Sequence, residues 1–165
     1  MTDSILPADI TALAQKVVDA NRAAGRTIVL AESCTGGLVA SALTEIPGSS
    51  AVLDRAFVTY SNAAKREELS VPSDIIEAFG AVSVACVYAM AQGALEQSGA
   101  DVAVAISGIA GPDGGSELKP VGTVVFARAV RGEDGPTAEE RVFAGENRAG
   151  VRRQATLCAL ELLLP

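Results

Sequence analysis

Two short stretches hold the residues best suited to covalent chemistry. In Ala31-Glu32-Ser33-Cys34-Thr35-Gly36-Gly37, a serine and a cysteine stand side by side ahead of two glycines. In Tyr60-Ser61-Asn62-Ala63-Ala64-Lys65, a phenol and an amine share one short segment. The chain contains no histidine. That excludes Ser-His-Asp and Cys-His machinery within it, and histidine-ligated zinc as well. A proton carrier must then be Lys, Tyr, Asp or Glu. Serine is a poor nucleophile without a base, and a lysine kept neutral by burial can supply one. Lys65 is the best placed of three lysines, the others being Lys16 and Lys119. Tyr60 could pass a proton or orient that lysine. Cys34 is the rival nucleophile, because helix amino termini favour thiolates, but it too would need an activating cation. Each residue also has an ordinary structural role: Ser33 as a helix cap, Lys65 as a solvated lysine beside Glu67 and Glu68, Tyr60 as an aromatic at a strand end.

The elements that must position these residues follow from hydrophobic spacing. The run Thr27-Ile28-Val29-Leu30 predicts a buried strand, and Leu38 to Leu43 a helix. Ser33, Cys34 and Thr35 then fall at the carboxyl end of a strand, the edge where open α/β sheets bind ligands. They also lie over a helix amino terminus, whose N–H groups favour an anion. On that basis the N–H groups of Thr35, Gly36 or Gly37 would face a developing oxyanion. Elsewhere the spacing predicts a helix over 7–24, a strand over 55–60, and a helix capped by Ser61 or Asn62. Helices over 73–79 and from Ser83 to about 98 come next, then a buried strand over 101–107. A long Gly/Pro-rich loop, residues 108–120, could cradle phosphate or substrate, although it lacks the Gly-Lys-Ser/Thr ending of a Walker motif. Strands over 122–130 and 139–143 and a helix over 149–164 complete the chain. Arg148 and Arg152 could grip a phosphate as a pair. The expected fold is α/β, a three-layer α/β/α sandwich with a mixed, mostly parallel sheet, in one domain over residues 1–165. The last strands are joined too tightly for crossovers and should be antiparallel.

Composition narrows the partners. The formal net charge of −7 opposes nucleic-acid binding. No apolar run approaches the roughly 20 residues that span a membrane. Cys34, Cys86 and Cys158 are widely separated, a poor metal site, so neither metal nor cofactor is expected. Three unpaired cysteines without a visible signal peptide indicate reduced thiols and a cytoplasmic protein.

The two stretches named at the outset, together with Gly80-Ala81-Val82-Ser83, Ser107-Gly108-Ile109-Ala110-Gly111-Pro112-Asp113-Gly114-Gly115 and Lys119-Pro120-Val121-Gly122-Thr123-Val124, recur in one known family. In that order they resemble the CinA carboxy-terminal domain family, the nicotinamide mononucleotide amidohydrolases. The resemblance implies hydrolysis of the carboxamide of nicotinamide mononucleotide to nicotinic acid mononucleotide and ammonia. It implies Ser33 as nucleophile, Lys65 as base and Tyr60 as assistant, with self-association and a three-layer fold. Thr35, Gly36, Gly37, Asn62, Ser107, Gly108, Gly111, Gly114, Gly115 and Arg148 are expected around the substrate. Gly145-Glu146-Asn147-Arg148 departs from the Gly-Asp-Arg that relatives often carry. The alternative is a module that binds nucleotides without turnover, or a protein partner in competence or DNA-damage responses.

Overall fold

A computed structural model describes residues 3–165. Along these residues the elements are α1 (Ala8–Ala23), β1 (Ile28–Glu32), α2 (Leu38–Thr44), β2 (Leu53–Val58), α3 (Asn62–Leu69), α4 (Ser73–Phe79), α5 (Val84–Glu96), β3 (Val102–Gly108), β4 (Thr123–Val130), β5 (Thr137–Val142) and α6 (Arg148–Leu162). The sheet has the order β2-β1-β3-β4-β5. β1 pairs in parallel with β2 and β3, and β4 runs antiparallel to both its neighbours. The sheet is therefore mixed and mostly parallel, as expected: only β4 opposes the common direction. The expected second strand begins and ends two residues early. Asp54 and Arg55 interrupt its apolar run, and an edge strand tolerates them because one side faces water.

Alternation along the strands sorts the core into two layers. Ile28 and Leu30 of β1, Val102, Val104 and Ile106 of β3, and Phe126 of β4 pack with α1, α2 and α6. Val29 and Ala31, Ala103 and Ala105, and Val125, Ala127 and Ala129 face the opposite way, against α3, α4 and α5. The second face is built largely of alanine, so α5 lies close to the sheet. The fit continues outward: a Cβ added to Gly93 of α5 would fall 1.9 Å from the Leu69 carbonyl. Among the described residues no helix is long and apolar enough to cross a membrane.

This topology gathers the chemistry at one edge. Glu32 at the end of β1 is in register with Val58 of β2 and Ile106 of β3. The segments that leave these three parallel strands, beginning at Ser33, Thr59 and Ile109, therefore emerge side by side.

Candidate active site

The β1–α2 turn is shaped by its glycines and by one buried carboxylate. Gly36 and Gly37 adopt φ of +57° and +98°, a region that glycine enters without strain. The side chain of Glu32 is wholly buried. Its Oε1 accepts from the Thr35 hydroxyl at 2.7 Å, from Gly37 N–H at 3.2 Å and from Val39 N–H at 3.1 Å, and its Oε2 accepts from Ala40 N–H at 3.1 Å. The start of α2 thus already holds an anion, one of the protein's own. Gly36 N–H is also engaged, donating to the Ser33 carbonyl at 3.0 Å. This corrects the sequence-based expectation that Gly36 and Gly37 would present free N–H groups. The free ones lie one step earlier: among the described residues, the N–H groups of Cys34 and Thr35 make no hydrogen bond. Glu32 stood in the motif itself. An acidic residue placed directly before a small-residue turn and a helix start was the signal that could have identified it.

Lys65 sits in the first turns of α3, capped by the Ser61 hydroxyl, which accepts from Ala64 N–H at 3.0 Å. Its side chain points inward and the residue is 1% exposed. The amine lies 3.1 Å from Ser33 Oγ, 2.8 Å from the Thr59 carbonyl and 3.3 Å from the Tyr60 carbonyl. None of these partners is a carboxylate. Burial lowers the pKa of Lys65 below the usual lysine value, since the desolvated charge has no counterion. A neutral amine has two N–H donors and one lone pair. Two carbonyls and one hydroxyl are the partners that such a group would use, with Ser33 donating its O–H to the lone pair.

The two residues lie in a pocket of about 270 Å³, lined also by Cys34, Tyr60, Ala81, Val82, Gly108, Ile109, Ala110, Gly111, Asp113 and Arg148. Cys34 is 6% exposed, and burial pushes its thiol pKa up to about 11. A Cβ on Gly108 would stand 2.9 Å from Val124 Cγ2, 3.0 Å from Cys34 Sγ and 3.1 Å from the Thr123 carbonyl, so a side chain there would crowd the turn. Gly111 and Arg148 meet at the pocket, where Arg148 donates to the Gly111 carbonyl at 2.8 Å and to the Tyr60 hydroxyl at 3.4 Å. The Tyr60 hydroxyl makes no hydrogen bond to Ser33 or Lys65; its exposed ring stands at the pocket and its carbonyl holds the amine. Ser107 is buried at the end of β3 and does not line the pocket, nor do Gly114 and Gly115. Asn62 is exposed at the start of α3, also away from the lining. The two arginines of α6 do not form a phosphate-gripping pair. Arg152 turns to the backbone of the β1–α2 turn, donating to the Cys34 carbonyl at 3.0 Å and the Thr35 carbonyl at 3.4 Å.

Comparison with known proteins places the chain in a family. The family model described as "CinA C-terminal domain" matches residues 10–165. The chain belongs to the CinA C-terminal domain family. Within the wider set of CinA-related sequences, "Nicotinamide-nucleotide amidohydrolase PncC" of Escherichia coli strain K12 is 52% identical over 163 residues, 99% of this chain and 95% of its own. The protein of the same name from Enterobacter agglomerans is 53% identical over 154 residues, 92% of each chain. Among solved structures, the competence/damage inducible protein CihA from Agrobacterium tumefaciens superposes with a TM-score of 0.94 at 46% identity, covering 98% of this chain and 97% of its own. A CinA superfamily protein from Klebsiella pneumoniae 700603 gives 0.88 at 40% identity, covering 93% and 94%.

Proposed function

We propose that this protein hydrolyses the carboxamide of nicotinamide mononucleotide, with Ser33 as nucleophile and Lys65 as base. The substrate follows from the names of relatives that align along nearly the whole chain. The mechanism is supported by one contact, the 3.1 Å approach of a buried, uncompensated amine to a serine hydroxyl. Ser33 Oγ attacks the amide carbon and passes its proton to Lys65 Nζ. The carbonyl oxygen takes up negative charge beside the N–H groups of Cys34 and Thr35. Collapse breaks the C–N bond, Lys65 returns the proton to the departing nitrogen, and ammonia leaves an acyl-serine. Water then attacks that ester, gives its proton to Lys65, and releases the carboxylate and the restored Ser33 hydroxyl. Arg148 is the cation nearest to hand for the substrate phosphate.

A single-domain, cytoplasmic and self-associating protein goes with this function; light scattering of the purified chain tests the association. The decisive assay is ammonia release from nicotinamide mononucleotide in a chelator-treated solution. Activity that survives unchanged in both Ser33→Ala and Lys65→Ala would remove the mechanism. No activity on any nicotinamide nucleotide would remove the substrate.

A further inference from the structure

The β1–α2 turn is held from two sides by opposite charges. Glu32 takes the N–H groups and the hydroxyl that follow Ser33. Arg152 takes the carbonyls of Cys34 and Thr35. Arg152 comes from α6, 118 and 117 residues away in sequence from those carbonyls, so no local turn preference accounts for the contact. A guanidinium suits it, because its fixed fork of donors can span two neighbouring acceptors.

Peptide geometry gives this contact a consequence for catalysis. In a trans peptide group the N–H points opposite to the carbonyl. Cys34 O and Thr35 N–H belong to the same group, so holding the carbonyl against Arg152 aims the N–H away from it. The group before is fixed in the same way: Ser33 O accepts from Gly36 N–H, which sets the direction of Cys34 N–H. The two N–H groups without partners are thus carried by peptide groups whose carbonyls are tied down. Arg152 also leaves a full positive charge beside the Thr35 amide.

We propose that Arg152 is a positioning residue for oxyanion stabilisation, orienting the Thr35 N–H through the Cys34 carbonyl of the same peptide group and touching no substrate itself. This rests on Ser33 being the nucleophile, as proposed above. A donor fixed in advance needs no reorganisation when charge develops, so its loss falls on the transition state. Arg148, one helical turn earlier, reaches the pocket wall instead. Neighbouring arginines on one helix therefore serve two different tasks.

Arg152→Lys keeps the charge without the fork, and Arg152→Ala removes both. Each variant is expected to lower kcat for ammonia release by about 10²-fold, while KM stays within about threefold. Free guanidinium ion, kept below the concentration that shifts unfolding, should restore part of the Arg152→Ala rate. Labelling of Ser33 by a fluorophosphonate, which sets a P–O oxygen in the same place, should slow in parallel. Unchanged kcat and unchanged labelling would overturn the assignment, as would a rise in KM alone. A measurement on the unaltered chain covers variants that do not fold: the ¹⁵N-labelled Thr35 amide proton should move downfield when the adduct forms, and the Gly37 amide should not. A Thr35 signal that stays in place also overturns the assignment. A wild-type chain labelled at Ser33 but inactive on nicotinamide mononucleotide would defeat only the substrate, since labelling still reads Arg152. A chain neither labelled nor active would defeat both.

Discussion

The amine of Lys65 lies 3.1 Å from the hydroxyl oxygen of Ser33, and its remaining hydrogen-bond partners are the backbone carbonyls of Thr59 and Tyr60. A buried lysine ordinarily finds a carboxylate, and this one does not. The nearest buried acid, Glu32, is spent on the start of α2. With Glu32 engaged there, no carboxylate among the described residues pairs with the amine, which keeps Lys65 able to lose its proton. An ion pair at this position would have raised its pKa and held it protonated, unfit for the proposed role of base.

Rate should therefore depend on pH through Lys65. kcat/KM for ammonia release should rise with pH along a limb whose inflection lies below the usual lysine value of 10.5. Lys65→Arg keeps a cation but cannot release a proton, and should reduce kcat by about 10²–10⁴-fold at every pH. A pH–rate profile identical in wild type and Lys65→Arg would refute the role.

The same group makes stability depend on pH. Its folded pKa lies below 10.5, the value it regains on unfolding. Between those two values the unfolded chain binds more protons than the folded one, so this group's contribution to stability rises with pH across that window. Below the folded pKa the burial penalty is complete; above 10.5 it is gone. Urea titrations of wild type and Lys65→Met across the window should show a positive slope in the wild type that the variant lacks.

Cys34 is next to Ser33 in sequence and lines the same pocket, yet its thiol pKa of about 11 keeps it protonated at neutral pH. Cys34→Ala should retain kcat within roughly threefold, because it removes a packing group and no reactive one. Iodoacetamide at pH 7 should leave the wild-type enzyme active. Rapid inactivation, absent in the variant, would restore the thiol as a candidate.

Much of this arrangement can be read from residue types and spacing. The continuous apolar runs of β1 and β3, the Ser61 and Ser83 caps, and the absence of histidine point to Ser33 and Lys65 at one sheet edge. Contacts between distant segments are less legible. Nothing in the spacing of α6 says that Arg148 turns to Gly111 while Arg152 turns to Cys34; that depends on how the helix docks on the sheet. Free N–H groups at a helix start are also a poor expectation wherever a carboxylate lies within reach. Glu32 fills the place assigned to a ligand, and of the three expected donors Thr35 stays free while Cys34 replaces Gly36 and Gly37.

Glu32 should accordingly matter for stability as well as for the turn. Glu32→Ala strips partners from one hydroxyl and three N–H groups at the start of α2. A hydrogen bond to a charged group contributes about 1.5–3 kcal/mol, so losing this set should lower the unfolding free energy by at least about 3 kcal/mol. Glu32→Gln preserves shape and one acceptor and should lose less. Denaturant midpoints that coincide for the three proteins would show that the carboxylate is dispensable.

The two arginines of α6 allow a sharper separation. Arg148 lines the pocket and, among the described residues, is held only by the Gly111 carbonyl and the Tyr60 hydroxyl, contacts that a phosphate can replace. A charged contact of about 1.5–3 kcal/mol corresponds to roughly 10–150-fold in affinity, so Arg148→Ala should raise KM for nicotinamide mononucleotide by that order, with a much smaller change in kcat. The riboside, which has the same ring and carboxamide without the phosphate, should be hydrolysed equally well by wild type and Arg148→Ala. Arg152→Lys should instead lose kcat on both substrates, because a misdirected Thr35 N–H fails at the carboxamide whatever the far end of the molecule carries. An Arg148 effect of equal size on nucleotide and riboside would place Arg148 at the reacting end and leave the phosphate without a partner in this pocket.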